Sequence, residues 1–242
     1  MNRVGIITQA RMTSSRLPGK VLKEINNIPL LQYHINRLKT VGYPIIVATT
    51  ARKTDDPIVT FCKKLNYSYY RGDEENVLER YYHAAKENNL DIIVRVTSDC
   101  PLIDGNIVKD AVSEFLFKND NMLYVSNGLS NTFPRGFDFE IFSFKLLKLA
   151  YENVILTYEK EHVTPYFYSG INPSIRTLGF PYKINRKNYR LTVDTEPDFE
   201  LVSKLIVDFD AGQKSIDEII NIMDENPQLQ LINSHVEQKK IN

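Results

Sequence analysis

The chain has 242 residues, enough for one α/β domain with a sizeable core, and its 43% hydrophobic content excludes an intrinsically disordered chain. Its 30 Lys and Arg residues are balanced by 30 Asp and Glu residues, which argues against a protein that mainly grips a nucleic-acid backbone. Two cysteines are too few for a disulfide framework, and no apolar run approaches the length of a membrane span, so we expect a cytoplasmic protein without nucleic-acid or membrane partners.

The first half of the chain alternates between strand-like and helix-like patterns. Apolar, β-rich runs predict strands at residues 3–7, 45–49, 68–70 and 92–96. Apolar residues at helical spacing predict helices at residues 30–38, 56–65 (capped by Asp56), 77–85 and 108–117. This alternation is typical of a three-layer α/β/α fold, in which a mostly parallel central sheet is covered by helices on both faces, as in Rossmann-like domains.

The second half of the chain is less regular. We predict strands at residues 123–126, 137–142, 175–180 and 189–193. Helices are predicted at residues 143–151, 197–209 and 215–223, together with one continuous helix from about 156 to 169, and residues 238–242 are predicted to be a polar end. Because no internal repeat or low-complexity linker interrupts the chain, we predict a single domain over residues 1–242.

The segment after the first strand is rich in groups that bind phosphate. Residues 9–20 read Gln-Ala-Arg-Met-Thr-Ser-Ser-Arg-Leu-Pro-Gly-Lys. A triphosphate needs guanidinium groups, hydroxyls and a compact ammonium group around its oxygens. The glycine spacing fits neither a Walker A loop nor a dinucleotide-binding fingerprint. We interpret the segment as a nucleoside-triphosphate-binding loop; a solvated basic loop is the competing interpretation.

Asp99 and Asp194 each follow a predicted strand, the first after residues 92–96 and the second after residues 189–193. The ligand crevice of an open α/β sheet lies outside the carboxyl ends of its strands, and Mg²⁺ prefers one or two carboxylates with its other ligands from water and phosphate. Alternatively, Asp99 forms a turn before Pro101 and Asp194 caps the next helix. The two aspartates together, each at a predicted strand end, favour a metal site.

Several segments of the chain resemble one known family. They are residues 6–20, Arg71-Gly72-Asp73 with Asn76-Val77-Leu78, residues 97–104 (Thr-Ser-Asp-Cys-Pro-Leu-Ile-Asp), 134–138 (Pro-Arg-Gly-Phe-Asp), 161–166 (Glu-His-Val-Thr-Pro-Tyr) and 191–196 (Leu-Thr-Val-Asp-Thr-Glu). In this order they resemble the cytidylyltransferase family that includes the acylneuraminate and 3-deoxy-manno-octulosonate enzymes. Within that family they are similar to the branch named for the spore coat polysaccharide biosynthesis protein SpsF.

The resemblance implies a fold of the nucleotide-diphospho-sugar transferase type and a Mg²⁺-dependent transfer of CMP from CTP to a small-molecule acceptor, in a homodimer. It implies nucleotide binding by Gln9, Ala10, Arg11, Ser14, Arg16, Lys20, Arg71, Asp73 and Ser98. It implies catalytic roles for Lys20, Arg16 and Asp99, and Mg²⁺ binding by Asp99 and Asp194. Asn127, Arg135 and Asp138 are implied to bind the acceptor, within an acceptor-binding or dimerisation subregion at about residues 123–182.

Three of these motifs also have purely structural interpretations. A turn followed by a helix cap explains Gly72 and Asp73 equally well, and Arg135 fits a surface arginine in a Pro-Arg-Gly turn. His162 shares a predicted helix with apolar residues, so we interpret it as a structural histidine rather than a catalytic one.

The resemblance implies an acceptor that is a sugar acid or a phosphorylated or phosphonate compound, used in surface polysaccharide biosynthesis. Two other functions remain open. A glycosyltransferase of similar α/β fold would use a nucleotide-sugar, and a non-catalytic nucleotide-binding partner would bind without turnover. The presence of Lys20, Asp99 and Asp194 together counts against the non-catalytic alternative. The Asp-Phe-Asp sequence at residues 208–210 resembles a glycosyltransferase metal motif, but it ends an amphipathic helix and is predicted to face water.

Overall fold

The structure, a computed structural model that describes residues 2–238, is built around a seven-stranded sheet. The strands are β1 Val4–Gln9, β2 Glu24–Ile25, β3 Ile28–Pro29, β4 Ile45–Thr50, β5 Ser68–Gly72, β6 Ile92–Thr97, β7 Leu123–Ser126, β8 Glu140–Ser143 and β9 Arg176–Gly179. Strands β2 and β3 form a separate antiparallel pair. Of the predicted polar end only Gln238 is described, and residues 239–242 lie outside the described residues.

The sheet has the strand order β5-β4-β1-β6-β8-β7-β9. Strand β8 is antiparallel to both of its neighbours, and all other neighbouring pairs are parallel. The mostly parallel sheet predicted from the alternating pattern is therefore confirmed. Strands β4, β1 and β6 are adjacent and parallel in the sheet. The loops that follow them therefore lie next to one another at one edge of the sheet.

The helices are α1 Leu30–Leu38, α2 Asp56–Lys64, α3 Val77–Glu87, α4 Gly105–Lys118, α5 Phe144–Asn153, α6 Thr157–His162, α7 Pro165–Tyr168, α8 Glu196–Phe209, α9 Ile216–Glu225 and α10 Pro227–Leu231. Within residues 2–238, none of the helices is both long and apolar enough to cross a membrane.

The helices cover the sheet on both faces. Side chains of α3 and α5 pack against one face, and those of α1, α2 and α4 pack against the other. Successive side chains of β1 point to opposite faces of the sheet. The fully buried Ile7 packs in the core beneath α3, and the fully buried Ile6 packs in the core beneath α4. The predicted three-layer α/β/α fold is confirmed.

The C-terminal helices α8, α9 and α10 enclose a further hydrophobic core. Apolar side chains from the irregular segments pack beneath them, including Phe137, Leu191 and Val193, each at most 2% exposed. Residues 189–193 are therefore not a sheet strand, contrary to our prediction, and make only an isolated bridge between Arg135 and Arg190. Their alternating apolar pattern reflects packing under helices rather than packing on a sheet.

The predicted continuous helix at residues 156–169 is also wrong. It is broken at Val163, whose φ is 71°, and the N–H of Thr164 donates to the carbonyl of His162 at 2.8 Å, which closes a tight turn. Pro165 explains the break, because a proline within a helix lacks the N–H donor and clashes with the carbonyl four residues earlier. The turn separates α6 from α7 and leaves His162 at the end of a short helix.

Three smaller differences concern element boundaries. Strand β8 begins at Glu140 and not at residue 137, because the side chain of Asn127 bonds the backbone of Phe137 and Phe139 (2.9 and 3.0 Å). Helix α2 is preceded by Asp55, so Asp56 is its first residue and not its cap. Helix α10 lies in a segment for which no helix was predicted.

Candidate active site

The candidate site lies where β1 and β6 end side by side. Gln9 is opposite Thr97 in this parallel pair, and the N–H of Ser98 donates to the carbonyl of Gln9 at 3.2 Å. The chain leaves both strands at the same edge of the sheet. The loop at residues 10–20 and the Asp99 segment are therefore neighbours, as expected from parallel pairing.

Backbone contacts hold the loop at residues 10–20 in place. The N–H of Ala10 donates to Ala48 of the neighbouring strand at 3.1 Å, and the N–H of Gly19 donates back to Met12 at 2.8 Å. Gly19 has a φ of 71°, in the left-handed region where glycine is favoured. These contacts close the loop on itself, so its polar side chains start from a fixed backbone.

Asp55 is a further anchor of this loop. Its carboxylate is fully buried and accepts hydrogen bonds from the N–H of Met12 at 2.7 Å and from the hydroxyl of Thr50 at 2.5 Å. A buried carboxylate requires such donors, because an unpaired one is costly to desolvate. Sequence reasoning missed this role, since nothing local to Asp55 indicates a partner 43 positions earlier.

Lys20 joins the two aspartates that were predicted to bind metal. Its Nζ donates to Asp99 Oδ2 at 2.8 Å and to Asp194 Oδ1 at 2.7 Å, and the residue is only 8% exposed. Burial alone lowers the pKa of Lys20, but the two carboxylates outweigh that effect and hold the pKa above its usual value. Lys20 is therefore a charged ammonium group between two carboxylates.

The electrostatics of Asp99 mirror those of Lys20. Burial alone raises the pKa of Asp99, but the Lys20 charge and the hydrogen bonds to the carboxylate lower it to about 2. The carboxylate is therefore ionised at neutral pH.

Asp194 reaches the site without a sheet strand. The N–H of Val193 donates to the carbonyl of Asp99 at 2.8 Å, and that of Leu191 donates to the carbonyl of Arg135 at 2.7 Å. Thr195, and not Asp194, is the N-cap of α8. The capping alternative for Asp194 is thereby excluded, and its carboxylate faces Lys20.

A buried ion-pair network holds Asp194. Arg190 donates to Asp194 Oδ2 at 2.8 Å and to both oxygens of Asp198 at 2.8 and 3.0 Å. Asp198 is fully buried, completes the capping box of α8 with Thr195, and accepts from the side chain of Asn233 at 2.8 Å. We did not predict Asp198, although the Thr-x-x-Asp spacing that opens α8 is a visible signal of a capping box.

Two adjoining chambers open around these residues. The first, which we call the loop chamber, has a volume of about 240 Å³. It is lined by Gln9, Ala10, Arg11, Ser14, Ser15, Arg16, Lys20, Val21, Val77, Arg80, Thr97, Asp99, Glu161, His162 and Asp194.

The second, which we call the turn chamber after the Pro-Arg-Gly-Phe-Asp turn at residues 134–138, has a volume of about 530 Å³. It shares Gln9, Arg16, Thr97, Asp99, Glu161, His162 and Asp194 with the loop chamber and adds Arg95, Cys100, Arg135, Asp138, Tyr158, Thr192 and Gln238. Asp99 and Asp194 thus lie at the boundary between the two chambers.

Most of the predicted site residues line these chambers, but Arg71, Asp73, Ser98 and Asn127 do not. Ser98 is buried with its hydroxyl 2.8 Å from that of Thr8, and Asn127 is buried by its bonds to the backbone. Arg71 donates to the carbonyl of Thr50 at 2.9 Å. Asp73 accepts from two backbone N–H groups at the start of α3, the turn interpretation offered above.

The turn at residues 134–138 fixes the far wall of the turn chamber. Gly136 has a φ of 104°, and a Cβ there would lie 2.5 Å from the backbone of Leu191, so the turn can approach that segment only with glycine. Arg135 is exposed to the chamber. Burial raises the pKa of Asp138 above its usual range.

Several lining residues were missed or underrated. Arg95 forms a buried ion pair with Glu140 and donates to Gln9 Oε1 at 3.3 Å; although burial opposes its charge, Glu140 raises its pKa. Arg80 lines the loop chamber at 2% exposure and donates to the carbonyl of Asp73 at 2.5 Å. His162, interpreted above as structural, lies at the boundary of both chambers because α6 ends there.

A buried histidine supports the floor of the site. His34 Nδ1 donates to the carbonyl of Cys100 at 2.9 Å, so Nε2 accepts from the hydroxyl of Thr8 at the same distance. Complete burial lowers the pKa of His34 to about 4, so the ring is neutral at pH 7. This histidine connects α1 to the segment that carries Asp99.

The sheet order and the position of the site at the carboxyl edge of the sheet fit a nucleotide-binding α/β enzyme, and the chain has the nucleotide-diphospho-sugar transferase fold. Comparison with family models makes the class specific. The model described as "Cytidylyltransferase" matches residues 5–238, so the chain belongs to the cytidylyltransferase family and is an enzyme of that kind. The family predicted from the sequence motifs is confirmed.

Similar proteins come from both archaea and bacteria. The uncharacterized protein MJ1063 of Methanocaldococcus jannaschii is 40% identical over 99% of this chain and 97% of its own. The spore coat polysaccharide biosynthesis protein SpsF of Bacillus subtilis is 29% identical over 94% of this chain and 96% of its own. A solved cytidylyltransferase from Leptospira borgpetersenii serovar Hardjo-bovis has a TM-score of 0.89 and 33% identity, covering 99% of this chain and all of its own.

Proposed function

We propose that this enzyme transfers CMP from CTP to a small-molecule acceptor and releases pyrophosphate. The observation that carries the proposal is the Lys20 ammonium group held between Asp99 and Asp194, at the boundary of two chambers. A transfer reaction needs its two substrates bound side by side. The loop chamber and the turn chamber offer one site for each substrate, on either side of the charged groups.

In the proposed reaction the loop chamber holds CTP. Arg11, Arg16 and Lys20 bind the phosphates that depart, while Ala10 and the main chain beside it approach the base. A deprotonated oxygen of the acceptor, either an ionised acid group or a hydroxyl that has released its proton to solvent, forms a bond to the α-phosphorus. The bond from that phosphorus to the oxygen that bridges to the β-phosphate breaks, and pyrophosphate leaves with its electron pair. Positioning and neutralisation of charge carry most of such a reaction.

The carboxylates of Asp99 and Asp194 fit a Mg²⁺ ion. Over residues 2–238 no cluster of three or more His, Cys, Asp or Glu side chains is placed to cage a metal. Two carboxylates with the remaining ligands from phosphate and water are the set that Mg²⁺ prefers. When bound, the ion supplies positive charge beside the phosphate that reacts.

The turn chamber is the proposed acceptor site. The guanidinium of Arg135 suits a carboxylate or phosphate group, and Asp138 suits a hydroxyl or an amine. We therefore propose a sugar acid or a phosphorylated or phosphonate compound as acceptor. The relationship to a spore coat polysaccharide biosynthesis protein supports a place in surface polysaccharide biosynthesis.

We also propose that residues 1–242 act as one domain and that the enzyme is a homodimer.

The test is a pyrophosphate-release assay with each of four nucleoside triphosphates, Mg²⁺ and a panel of sugar acids, sugar phosphates and phosphonates. The proposal expects release with CTP and at least one acceptor. A nucleoside diphosphate formed from a nucleotide-sugar would identify a glycosyltransferase instead. Tight CTP binding without turnover across the panel would indicate a non-catalytic nucleotide-binding protein.

A further inference from the structure

Lys20 occupies the place between the carboxylates that a shared metal ion would need. Its Nζ bonds one oxygen of Asp99 and one of Asp194, at 2.8 and 2.7 Å. The Lys20 side chain is 10% exposed, and those of Asp99 and Asp194 are 25% and 18% exposed, so all three are mostly shielded from solvent. The pair of carboxylates is therefore already neutralised in part by a cation of the chain itself.

A divalent ion entering alone would meet this ammonium group at short range. Like charges repel strongly where solvent screening is weak. The second oxygen of Asp194 offers no free alternative, because Arg16 and Arg190 both bond it, at 2.9 and 2.8 Å. Three cations thus compete with any metal for Asp194.

Lys20 has another partner available once nucleotide binds. The residue also lines the loop chamber, beside Arg11 and Ser14, where the proposed triphosphate lies. A lysine on a flexible stem moves readily onto phosphate oxygens, which are strong acceptors for an ammonium group. The move would free oxygens of both aspartates at the moment when the phosphates arrive.

We infer that Lys20 is an internal counter-cation that excludes metal from Asp99 and Asp194 until the nucleotide draws it away. This inference rests on the proposed function, since it takes Asp99 and Asp194 as the metal ligands. Metal and nucleotide then bind cooperatively, because each is admitted by the same displacement of Lys20. The enzyme takes up the metal with CTP and does not hold it beforehand.

The experiment measures Mn²⁺ binding to the purified full chain by the electron paramagnetic resonance signal of free Mn²⁺. The wild type is compared with Lys20→Met, with and without α,β-methylene-CTP, which cannot be cleaved between the α- and β-phosphates. The Mn²⁺ that the analogue binds in the absence of protein is measured and subtracted. Without nucleotide we expect Lys20→Met to bind Mn²⁺ about tenfold or more tightly than the wild type. The nucleotide analogue should tighten Mn²⁺ binding less in Lys20→Met than in the wild type.

Lys23→Met is the matched control. Lys23 is three positions further along, pairs with Glu196 at 2.8 Å and touches neither aspartate, so its variant should bind Mn²⁺ like the wild type. Circular dichroism and thermal melts establish that each variant is folded. Lys20→Gln, which keeps a neutral donor between the carboxylates, replaces Lys20→Met if the latter does not fold.

Two different failures are distinguishable. If folded Lys20 variants bind Mn²⁺ no more tightly than the wild type, while Asp99→Asn abolishes Mn²⁺ binding in the presence of the analogue, the counter-cation inference is wrong and the metal site stands. If Asp99→Asn binds Mn²⁺ as the wild type does, the metal assignment of the proposed function is wrong, and the inference fails with it.

Discussion

The loop chamber and the turn chamber meet at the same aspartates but are built differently. The loop chamber rests on the ends of neighbouring parallel strands, β1 and β6, and its loop is closed by backbone bonds. The turn chamber shares the strand ends at Gln9 and Thr97, but its far wall consists of irregular segments, residues 134–138 and 189–194. An isolated bridge and packing under the C-terminal helices hold these segments. Regular structure thus supports one side of the site and tertiary packing supports the other.

This difference suggests a division of labour. Strand ends in a buried parallel sheet move little, and the segment after them suits a substrate part that is always the same, a triphosphate. Irregular segments tolerate changes in length and sequence, and under the proposed function they hold the substrate that can differ between related enzymes, the acceptor. The predictions below test whether the two sides behave as separate units joined at Asp99 and Asp194.

The largest expected effect is at that junction. Asp99→Asn keeps the shape of the side chain but removes the charge that faces Lys20, so turnover should fall by about 100-fold or more. The measurement is pyrophosphate release with CTP, Mg²⁺ and the acceptor identified from the panel. Thermal melts should show a folded protein.

Asp208→Asn is the control for this variant. Asp208 lies near the end of α8, about half exposed and 3.6 Å from Lys204, and lines neither chamber. Its variant should retain full activity. Near-normal turnover in Asp99→Asn would contradict the metal assignment.

The second effect concerns stability on the turn-chamber side. Asp198→Asn removes the more deeply buried of the two carboxylates that pair with Arg190 and leaves Asp194 as the remaining one. Breaking a buried pair of this kind should lower the free energy of unfolding by about 3 kcal/mol at neutral pH. Although burial alone raises the pKa of Asp198, Arg190 and Asn233 lower it. Its contribution is therefore present above its unfolded pKa and lost as the pH falls through the folded value.

Urea unfolding of wild type and variant at a series of pH values measures this difference, which should be largest near neutrality and narrow in acid. Glu200→Gln is the matched control, because Glu200 is exposed on the same helix. An Asp198→Asn deficit below about 1 kcal/mol at neutral pH would show that the network does not hold the turn-chamber wall.

The same contrast decides what could be predicted from the sequence. Strands β1 and β6 are buried on both faces, and their mostly apolar runs identify them and the loops that follow. Residues 189–193 alternate between apolar and polar side chains as a strand does, yet their apolar side chains are buried under α8 and α9 and not in a sheet. Periodicity reports burial, and it does not say which element does the burying.

The site follows the same rule. Lys20 and Asp99 were predicted because each belongs to a motif at the end of a strong strand. Asp55 was missed because its partner Met12 is distant in sequence. Asp198 was missed although the Thr-x-x-Asp spacing marks its capping role, and only its contact with Asn233 is distant in sequence. His162 was interpreted as structural because the predicted helix ran on past it. The break at Val163 follows from Pro165, two residues later, which was a visible signal in the sequence. Long-range contacts such as that between Asp55 and Met12 cannot be predicted from local sequence patterns.

The third prediction concerns His34, which bonds the backbone of the segment that carries Asp99. His34 is buried and neutral, with a folded pKa of about 4 against 6.5 for the free side chain, so the unfolded chain takes up a proton first as the pH falls. The stability that this group contributes is present above pH 6.5 and lost as the pH falls towards 4. The loss should be about 2 kcal/mol between about pH 8 and about pH 5.

Unfolding free energies measured over this range should therefore decline less steeply in His34→Gln than in the wild type, whatever the stability of the variant at pH 8. His83→Gln is the control, because His83 is a half-buried histidine on α3 whose ion-pair partner is Glu79 and not a partner of His34. Equal slopes for His34→Gln and the wild type would mean that His34 is not the group that titrates.

The smallest effects separate the two chambers directly. Arg135 lines the turn chamber and not the loop chamber, whereas Arg11 lines the loop chamber and not the turn chamber. Arg135→Ala should raise the KM for the acceptor about tenfold and leave the Kd for CTP unchanged, since one charge-assisted hydrogen bond is lost from one substrate only. Arg11→Ala should weaken CTP binding and leave the acceptor KM unchanged. Steady-state kinetics and calorimetric titration with CTP measure the two constants. If each variant changes both constants equally, the chambers act as one pocket, and the division between a fixed and a variable side does not hold.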